Sequence, residues 1–231
     1  MEGHSGCEDR FWARLVSADE AVASTMRDGV TVMVGGFGLV GAPLTLIRAL
    51  NAHPCTGLTV ISNNLGEPGK ALGETLRLGK VARAIGSFFT SNPDVAEARA
   101  RGELDVTLIP QGTFSEAIRA GGAGLGGFYT PTGVGTLLAE GKEIRQIGGE
   151  AYLFQEPLRA NVALVRARTA DRLGNLIYYK TARNFNPIMA TAADVVVAEV
   201  DEIVEVGQLD PEAIGTPHPC VDYLVRAEVT L

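Results

Sequence analysis

Short apolar runs alternate with segments of helical pattern along most of this sequence, and this alternation constrains the fold more than any other feature. Runs rich in β-branched residues, such as residues 30–34, 58–61 and 195–200, are typical of buried strands. The segments between them carry helix signals, of which the clearest is a capping box formed by Ser17 and Glu20. Strands that alternate with helices predict an α/β fold with an open, mostly parallel sheet and helices on both faces.

The other predicted elements continue this order. Further strands are expected at residues 82–88, 106–109, 151–154, 162–168, 175–179 and 223–225. Further helices are expected at residues 43–50, 70–78, 94–101, 114–120 and 186–193. Residues 121–135 are rich in glycine and show no helix or strand pattern. Because the chain has no low-complexity linker and no internal repeat, residues 1–231 are predicted to form a single domain, with a loosely ordered N-terminus at residues 1–16.

Composition excludes several functions. The chain has 20 basic and 27 acidic residues, a net charge of −7 and no basic stripe, so no nucleic-acid partner is expected. The uncharged stretches 30–47 and 120–139 contain too much glycine and proline to cross a membrane, and no signal-peptide pattern precedes them. A cytoplasmic protein is therefore expected. The sequence His-Pro-Cys occurs at residues 53–55 and 218–220, but zinc-ligand spacing is missing and no metal is expected.

A glycine-rich turn follows the strand at residues 30–34 and precedes a helix that starts at Pro43. Gly36, Gly38 and Gly41 match the pattern G-x-G-x-x-G, whose small residues let backbone N–H groups and the N-terminus of the following helix approach a phosphate. A dinucleotide site also needs an acidic residue about 20 positions later, on the ribose. The next strand ends instead in Ser-Asn-Asn at residues 62–64. A tight turn without a ligand is the structural alternative.

A longer pattern surrounds this turn. Residues 28–43, Asp-Gly-Val-Thr-Val-Met-Val-Gly-Gly-Phe-Gly-Leu-Val-Gly-Ala-Pro, resemble the signature of the A subunits of 3-oxoacid CoA-transferases, which are family I CoA-transferases. The resemblance extends over roughly residues 17 to 228. Its other blocks are Ser-Asn-Asn at 62–64, the segments at 110–113, 119–124 and 128–136, Ala-Arg-Asn-Phe-Asn-Pro at 182–187 and Glu-Val-Asp-Glu-Ile-Val at 199–204.

The resemblance implies an open α/β fold, related to that of sugar-phosphate isomerases, and transfer of CoA between a thioester and a carboxylate. In this family a glutamate of the B subunit forms a covalent thioester with CoA. Its Ser-Glu-Asn-Gly context does not occur here, and Glu116, Glu150 and Glu156 are expected to be surface carboxylates. The chain is therefore expected to need a B subunit for activity and to hold no tightly bound cofactor, with coenzyme A as a substrate.

The resemblance also implies which residues of this half contribute to the site. Gln111, which lies in the active site in the family, follows a predicted strand and a proline, so its amide is also expected at the carboxyl edge of the sheet, where such folds bind ligands. There it is expected to donate to a thioester oxyanion, and Asn63 and Asn64, at the same edge, to bond that oxyanion or the substrate carboxylate. The expected CoA contacts are the residues of the glycine turn: Gly35, Gly36, Phe37, Gly38, Leu39, Val40 and Gly41. Each assignment has a structural alternative, since amides in loops commonly bond backbone.

Other assignments stay open at this point. Gly121, Gly122 and Gly124 allow close approach of a partner chain or of the pantetheine arm, or form a mobile loop. Arg183 pairs either with a substrate carboxylate or, more consistent with its context, in a structural or inter-subunit salt bridge. The substrate acid is acetoacetate, with succinyl-CoA or acetyl-CoA, or 3-oxoadipate. A non-catalytic acyl-CoA-binding or regulatory module and a sugar-phosphate isomerase are the alternative functions.

Overall fold

A nine-stranded, almost entirely parallel sheet forms the centre of the computed structural model, which describes residues 12–228. The strands are β1 (Arg14–Leu15), β2 (Thr31–Val34), β3 (Leu58–Ile61), β4 (Val81–Gly86), β5 (Asp105–Leu108), β9 (Ala160–Asp171), β10 (Leu176–Ile177), β11 (Ala193–Val204) and β12 (Tyr223–Arg226). Their order is β1-β12-β11-β9-β2-β3-β4-β5, and the short strand β10 pairs antiparallel with β9. The predicted α/β fold with a mostly parallel sheet is confirmed.

Two hydrophobic cores lie on opposite faces of this sheet, because alternate residues of a strand point to opposite sides. In β2, Val32 and Val34 contribute to one core and Met33 to the other. In the middle of β9, Val162 and Leu164 join the first core, whereas Ala163 and Val165 join the second. Strands buried on both faces need apolar residues at every position, which explains the continuous apolar runs in the sequence.

Helices cover both cores. They are α1 (Ala18–Thr25), α2 (Leu44–Ala52), α3 (Leu72–Arg77), α4 (Pro93–Ala100), α5 (Gln111–Gly122) and α6 (Asn186–Ala190). Helix α1 starts with the predicted capping box, since Ser17 and Glu20 each accept from the other's backbone N–H. None of the helices within residues 12–228 is long and apolar enough to cross a membrane.

A smaller antiparallel sheet lies outside the parallel one and was partly missed. Its strands are β6 (Phe128–Thr130), β7 (Ile144–Ile147) and β8 (Glu150–Gln155), in the order β6-β8-β7. The prediction that residues 121–135 contain no regular structure is therefore wrong, because β6 lies within them and pairs with β8. No strand was predicted at β7, whose four residues are all exposed and lack the pattern of a half-buried strand.

Two further predictions need correction. The helix expected at residues 114–120 extends over the whole of α5, so Gln111 is its first residue instead of a loop residue. The N-terminal segment was expected to be loosely ordered up to residue 16, but β1 pairs in parallel with β12. Residues 1–11, and with them Cys7, lie outside the described part of the chain.

Candidate active site at the carboxyl edge of the sheet

The glycine turn at residues 35–41 begins where β2 ends. It folds back on itself, since the backbone N–H groups of Phe37 and Val40 donate to each other's carbonyl groups at 3.0 and 3.2 Å. Gly38 lies at the tip with φ of 62°, a conformation that strongly favours glycine. The side chains of Phe37 and Val40 are 53% and 47% exposed. The turn therefore presents apolar groups and a glycine tip to the outside.

Two asparagines near the start of α6 hold this turn. Asn184 accepts from Gly36 N at 3.2 Å and donates to Val40 O at 2.9 Å. The buried Asn186 donates to Gly41 O at 3.0 Å. Backbone groups at both ends of the turn thus find partners in one distant segment, as buried polar groups require.

The same segment explains why glycine is required at the ends of the turn. A Cβ atom on Gly35 would lie 1.9 Å from Asn186 Oδ1. A Cβ atom on Gly41 would lie 2.4 Å from the carbonyl oxygen of Ala182, and φ at Gly41 is 70°. These two glycines therefore serve contacts within the chain, whereas at Gly38 nothing lies within 4 Å of the added atom.

The N-terminus of α2, which follows the turn, is already occupied by a carboxylate. Glu199 Oε2 accepts from the backbone N–H groups of Thr45 and Leu46 at 2.9 and 3.1 Å. The sequence argument offered this helix end to a phosphate of the ligand, but Glu199 takes two of its N–H groups. The predicted CoA contact therefore rests on the turn itself more than on this helix end.

Glu199 is fully buried and ion-paired. Its other oxygen accepts from Arg166, which also pairs with Asp201. Burial raises the pKa of the Glu199 carboxyl, while the two backbone donors and Arg166 act in the opposite direction. This carboxylate joins β11, β9 and α2, and sequence reasoning assigned it no role. Its position in a family block at residues 199–204 was the available signal.

A second group of polar side chains lies further along the same edge, where β3, β4 and β5 end. Asn63 donates to Gln111 Oε1 at 2.9 Å and to Ser87 Oγ at 2.8 Å. Ser87 also donates to Gln111 Oε1. Within residues 12–228 no hydrogen bond engages the amide nitrogen of Gln111, whose side chain is exposed. The amide is thus fixed through its oxygen, and its N–H donors face outward.

Asn64 lies behind this group. Its side chain donates to Asn63 Oδ1 at 3.1 Å and accepts from Gly66 N at 2.9 Å, and the residue is 6% exposed. The structure therefore brings Asn63, Asn64 and Gln111 together, with Asn64 as the inner member. Sequence reasoning missed Ser87, which follows β4 and connects Asn63 to Gln111.

Of the remaining candidate residues, Gly121 and Gly122 pack against the chain itself, whereas Gly124 and Arg183 have open surroundings. Gly121 and Gly122 end α5, where added Cβ atoms would lie 2.0 Å from Leu158 O and 2.3 Å from Thr191 Oγ1. The chain itself therefore makes a close approach at these two glycines, and this approach requires glycine there. Gly124 has φ of 70° and open space around it. Arg183 is exposed and forms no ion pair within residues 12–228.

The acidic candidates lie at the surface, and within residues 12–228 the two His-Pro-Cys sequences form no metal-binding group. Glu116 is ion-paired with Arg119 on α5, and Glu150 and Glu156 are exposed. His53 accepts a hydrogen bond from the backbone of Cys55 at 3.3 Å. Over residues 12–228, no group of three or more histidine, cysteine or acidic side chains is arranged to hold a metal ion.

Fold and site together define an α/β protein whose polar groups collect at the carboxyl edge of a parallel sheet, where such folds bind ligands. A family model described as Coenzyme A transferase matches residues 15–227, and the chain belongs to this family.

Curated relatives agree with this assignment. The chain is 47% identical over 202 residues to the alpha subunit of the acetate CoA-transferase of Escherichia coli (strain K12), covering 87% of this chain and 92% of the relative. It is 47% identical over 212 residues to the A subunit of the succinyl-CoA:3-ketoacid coenzyme A transferase of Xanthomonas campestris pv. campestris (strain B100), covering 92% and 88%. It is also 47% identical over 211 residues to the A subunit of the 3-oxoadipate CoA-transferase of Pseudomonas putida, covering 89% and 91%. All three relatives are named as CoA-transferase subunits.

Solved structures share the fold. Glutaconate coenzyme A-transferase from Acidaminococcus fermentans has a TM-score of 0.82 at 18% identity, over 93% of this chain and 76% of that one. The acyl-CoA transferase YdiF of E. coli O157:H7, solved as a thioester complex with CoA, has a TM-score of 0.81 at 21% identity. This chain is covered to 94% in that match and spans 47% of the length of YdiF.

Proposed function

We propose that this chain is the A subunit of a heteromeric CoA-transferase that moves CoA between succinyl-CoA or acetyl-CoA and a 3-oxo acid such as acetoacetate. The nucleophilic glutamate belongs to a B subunit. This chain supplies the glycine turn, as the contact for CoA, and Gln111 with Asn63 and Asn64, as support for the reacting carbonyl group.

The observation that carries the proposal is the arrangement of Gln111. Its amide oxygen is held by Asn63 and Ser87, so its N–H donors are oriented before any substrate arrives. Preorganised donors of this kind stabilise a developing oxyanion by about 3 kcal/mol where one has been removed in other enzymes. The glycine turn and Gln111 follow β2 and β5, which are separated by three strand spacings, or about 15 Å. An extended thioester substrate suits that distance.

The covalent steps are those of carboxylate catalysis. The B-subunit glutamate attacks the acyl-CoA carbonyl, and the C–S bond breaks to give an acyl–glutamyl anhydride and CoA thiolate. The thiolate then attacks the glutamyl carbonyl and releases the first carboxylic acid, leaving a glutamyl–CoA thioester. The second carboxylate reverses these steps. Gln111 donates to the oxyanion that forms at each attack.

The acidic side chains near this site are engaged in other interactions, which supports the proposal that the nucleophile lies on another chain. Glu199, which lies fully buried at this edge, accepts from a helix N-terminus and Arg166 and has no exposed surface. A carboxylate held this way cannot reach a substrate without breaking those interactions. Glu116, which lies on the helix that begins at Gln111, is paired with Arg119 on the helix surface.

The relatives define the class of substrate more than its identity. Their names include succinyl-CoA:3-ketoacid, acetate and 3-oxoadipate CoA-transferases at the same 47% identity. We therefore propose a 3-oxo acid, with acetoacetate to be tested before 3-oxoadipate. CoA acts as a substrate, no tightly bound cofactor is needed for these steps, and a cytoplasmic location fits the pools of acyl-CoA.

The test is reconstitution. This chain and the B-type chain from the same genome, recognised by its Ser-Glu-Asn-Gly sequence, are assayed alone and mixed, by loss of acetoacetyl-CoA enolate absorbance in the presence of succinate. We expect activity only in the mixture, and Gln111→Ala to lower kcat by about a hundredfold without dissociating the complex. Activity of this chain alone contradicts the proposal. If no preparation transfers CoA but this chain binds acyl-CoA, the binding-module alternative replaces it.

A further inference from the structure

A chain of hydrogen bonds runs from the backbone at Gly66 to the side-chain amide of Gln111. Gly66 N donates to Asn64 Oδ1 at 2.9 Å, and Asn64 Nδ2 donates to Asn63 Oδ1 at 3.1 Å. Asn63 Nδ2 donates to Ser87 Oγ at 2.8 Å and to Gln111 Oε1 at 2.9 Å. Each side chain thus accepts from the group before it and donates to the group after it.

The direction of this chain is determined at its start, because a backbone N–H group can only donate. The oxygen and nitrogen ends of a side-chain amide have nearly the same shape, so hydrogen-bond partners decide which way the amide faces. Gly66 N requires the oxygen of Asn64, which turns the Asn64 nitrogen toward Asn63. In the same way, Asn63 accepts from Asn64 and turns its own nitrogen toward Ser87 and Gln111.

The peptide group at the start of the chain is itself held in place. Leu65 O belongs to the same peptide group as Gly66 N, and it accepts from the buried Asn92 Nδ2 at 2.8 Å. Because a peptide group is planar, this bond also fixes the direction of the Gly66 N–H. Gly66 has φ of 59°, and a Cβ atom there would lie 2.6 Å from Lys70 O, so backbone packs closely around it.

Ser87 is the member of the chain whose hydroxyl proton is free to rotate. Its oxygen accepts from Asn63 Nδ2, so its proton is left for an acceptor. Asn63 O lies 3.4 Å from Ser87 Oγ and already accepts from the backbone N–H groups of Ser87 and Phe88. Gln111 Oε1 is therefore the better acceptor, and Ser87 donates to it.

Reversal of the Gln111 amide is unfavourable as long as the chain keeps its direction. In the reversed position Gln111 Nε2 would face Asn63 Nδ2, and two donors that face each other lose their hydrogen bond. The outward atom would then be Oε1, an acceptor, which cannot stabilise a developing oxyanion. Hydrogen bonds in a chain also polarise one another, which strengthens the donors at its end.

From these observations we propose that Ser87 and Asn64 are positioning residues for CoA transfer, and that the chain beginning at Gly66 determines which end of the Gln111 amide faces the substrate. This inference rests on the proposed function and adds how its oxyanion donor is oriented. Asn64 is 6% exposed and acts through Asn63. Ser87 acts through Gln111.

The first test replaces Ser87 in the complex of this chain with the B-type chain. Ser87→Ala removes one donor to Gln111 Oε1 and is expected to lower kcat about tenfold with an unchanged KM for acetoacetyl-CoA, because the loss arises in the transition state. Ser87→Thr keeps the hydroxyl and should retain kcat within about twofold of wild type. The matched control is Ser91→Ala, an exposed serine of the segment that follows the same strand, with wild-type kcat expected.

The second test reverses the chain at a residue that does not contact Gln111. At neutral pH the carboxylate in Asn64→Asp still accepts from Gly66 N but has no proton for Asn63 Oδ1, so the amides of Asn63 and Gln111 are expected to turn round. The outward oxygen of Gln111 should then lower kcat about a hundredfold, as Gln111→Ala does.

The matched control for this substitution is Asn51→Asp. Asn51 Oδ1 accepts from Thr75 Oγ1 at 2.7 Å, a bond that a carboxylate also forms, so this variant adds the same charge without reversing a donor. Wild-type kcat is expected. Unchanged thermal unfolding verifies the fold of each variant, and the partly exposed Ser87 decides the test if Asn64→Asp does not fold.

Double variants separate positioning from other roles. In complexes that carry Gln111→Ala, neither Ser87→Ala nor Asn64→Asp should cause a further loss, because both act through the missing amide. Wild-type kcat in the folded single variants, a change in KM alone, or an undiminished loss in the double variants overturns the inference and leaves the proposed function standing. If the wild-type mixture transfers no CoA, or if Gln111→Ala keeps wild-type kcat, both proposals fail.

Discussion

Two glycine-rich regions look alike in the sequence and serve different purposes in the structure. Residues 35–41 follow a buried strand and form a turn whose two ends are held by Asn184 and Asn186. Residues 121–135 run from the end of α5 into a small exposed sheet. In the first region the glycine at the tip faces open space, while in the second the crowded glycines pack against Leu158 and Thr191.

The difference shows what glycine content can and cannot indicate. A glycine marks a close approach or a positive φ, but the neighbour that requires it is in some cases the chain itself. At Gly121 and Gly122 the neighbours are internal, so those residues build the fold. At residues 35–41 the ends are internal and the tip is free, which is the arrangement of a supported binding turn. The comparison is tested by substituting glycines that pack against the chain itself and glycines that face open space.

The largest effect is expected at the carboxylate that supports the first region. Glu199→Ala removes one of the partners of Arg166 and the acceptor of two helix N–H groups, and breaking a buried ion pair costs about 3–5 kcal/mol. The free energy of unfolding from urea titration measures it. Glu202→Ala, an exposed acid on the same strand, is the control and should change stability by less than about 0.5 kcal/mol. Equal effects of the two substitutions would show that Glu199 does not anchor α2.

Next in size is the contrast within the glycine turn. Gly35→Ala places a carbon atom against Asn186, and we expect a loss of about 3 kcal/mol in unfolding free energy. Gly38→Ala meets no neighbour and incurs only the cost of a positive φ, about 1 kcal/mol. If both variants lose the same stability, the internal support of the turn has been overestimated. Activity of the Gly38→Ala complex then reports on the ligand side of the turn.

The second region provides a parallel pair. Gly121→Ala forces α5 away from Leu158, at a cost of about 2 kcal/mol because the helix end can shift. Gly126→Ala lies in open space without a positive φ and should be neutral or stabilise by about 0.5 kcal/mol. Thermal unfolding compares them. Loss of CoA transfer in a Gly126→Ala complex of normal stability would instead assign this region to ligand or partner.

The last prediction concerns alkaline pH and the buried side chain of Tyr178. Burial raises the pKa of Tyr178 to about 12, while the unfolded chain ionises it near 10. In that interval the unfolded state binds fewer protons than the folded state, so the free energy of unfolding falls as pH rises from about 10 to 12. Tyr178→Phe should make this decline shallower in urea titrations across the interval. An identical slope in the variant would show that Tyr178 is not the buried group.

Much of the fold could be predicted because it depends on local pattern. The strands around Val32, Val60 and Val197 lie in runs rich in β-branched residues, and Ser17 with Glu20 marks a helix start by spacing alone. The position of Gln111 at the carboxyl edge also followed from a strand and a proline before it. The strand β7 was missed because exposed residues on both faces give no alternation of apolar and polar side chains.

The side chains that hold the glycine turn and the following helix in place could not be predicted from local pattern. Asn184 lies 148 positions from Gly36, and Glu199 lies 154 positions from Thr45. Neither contact leaves a local signal, since asparagines occur in loops of every kind as turn-forming residues and acids occur in strands that make no such contact. The resemblance pointed to both blocks but not to the partners of these side chains.

The most direct test of the central claim is to find which chain carries CoA during turnover. The mixture of this chain and the B-type chain is incubated with acetoacetyl-CoA, quenched in acid and analysed by intact mass spectrometry of each chain. We predict a CoA adduct on the B-type chain and none on this one. A CoA adduct on this chain would contradict the account, because its nucleophile would then lie among acids that the structure shows to be paired, buried or on the surface.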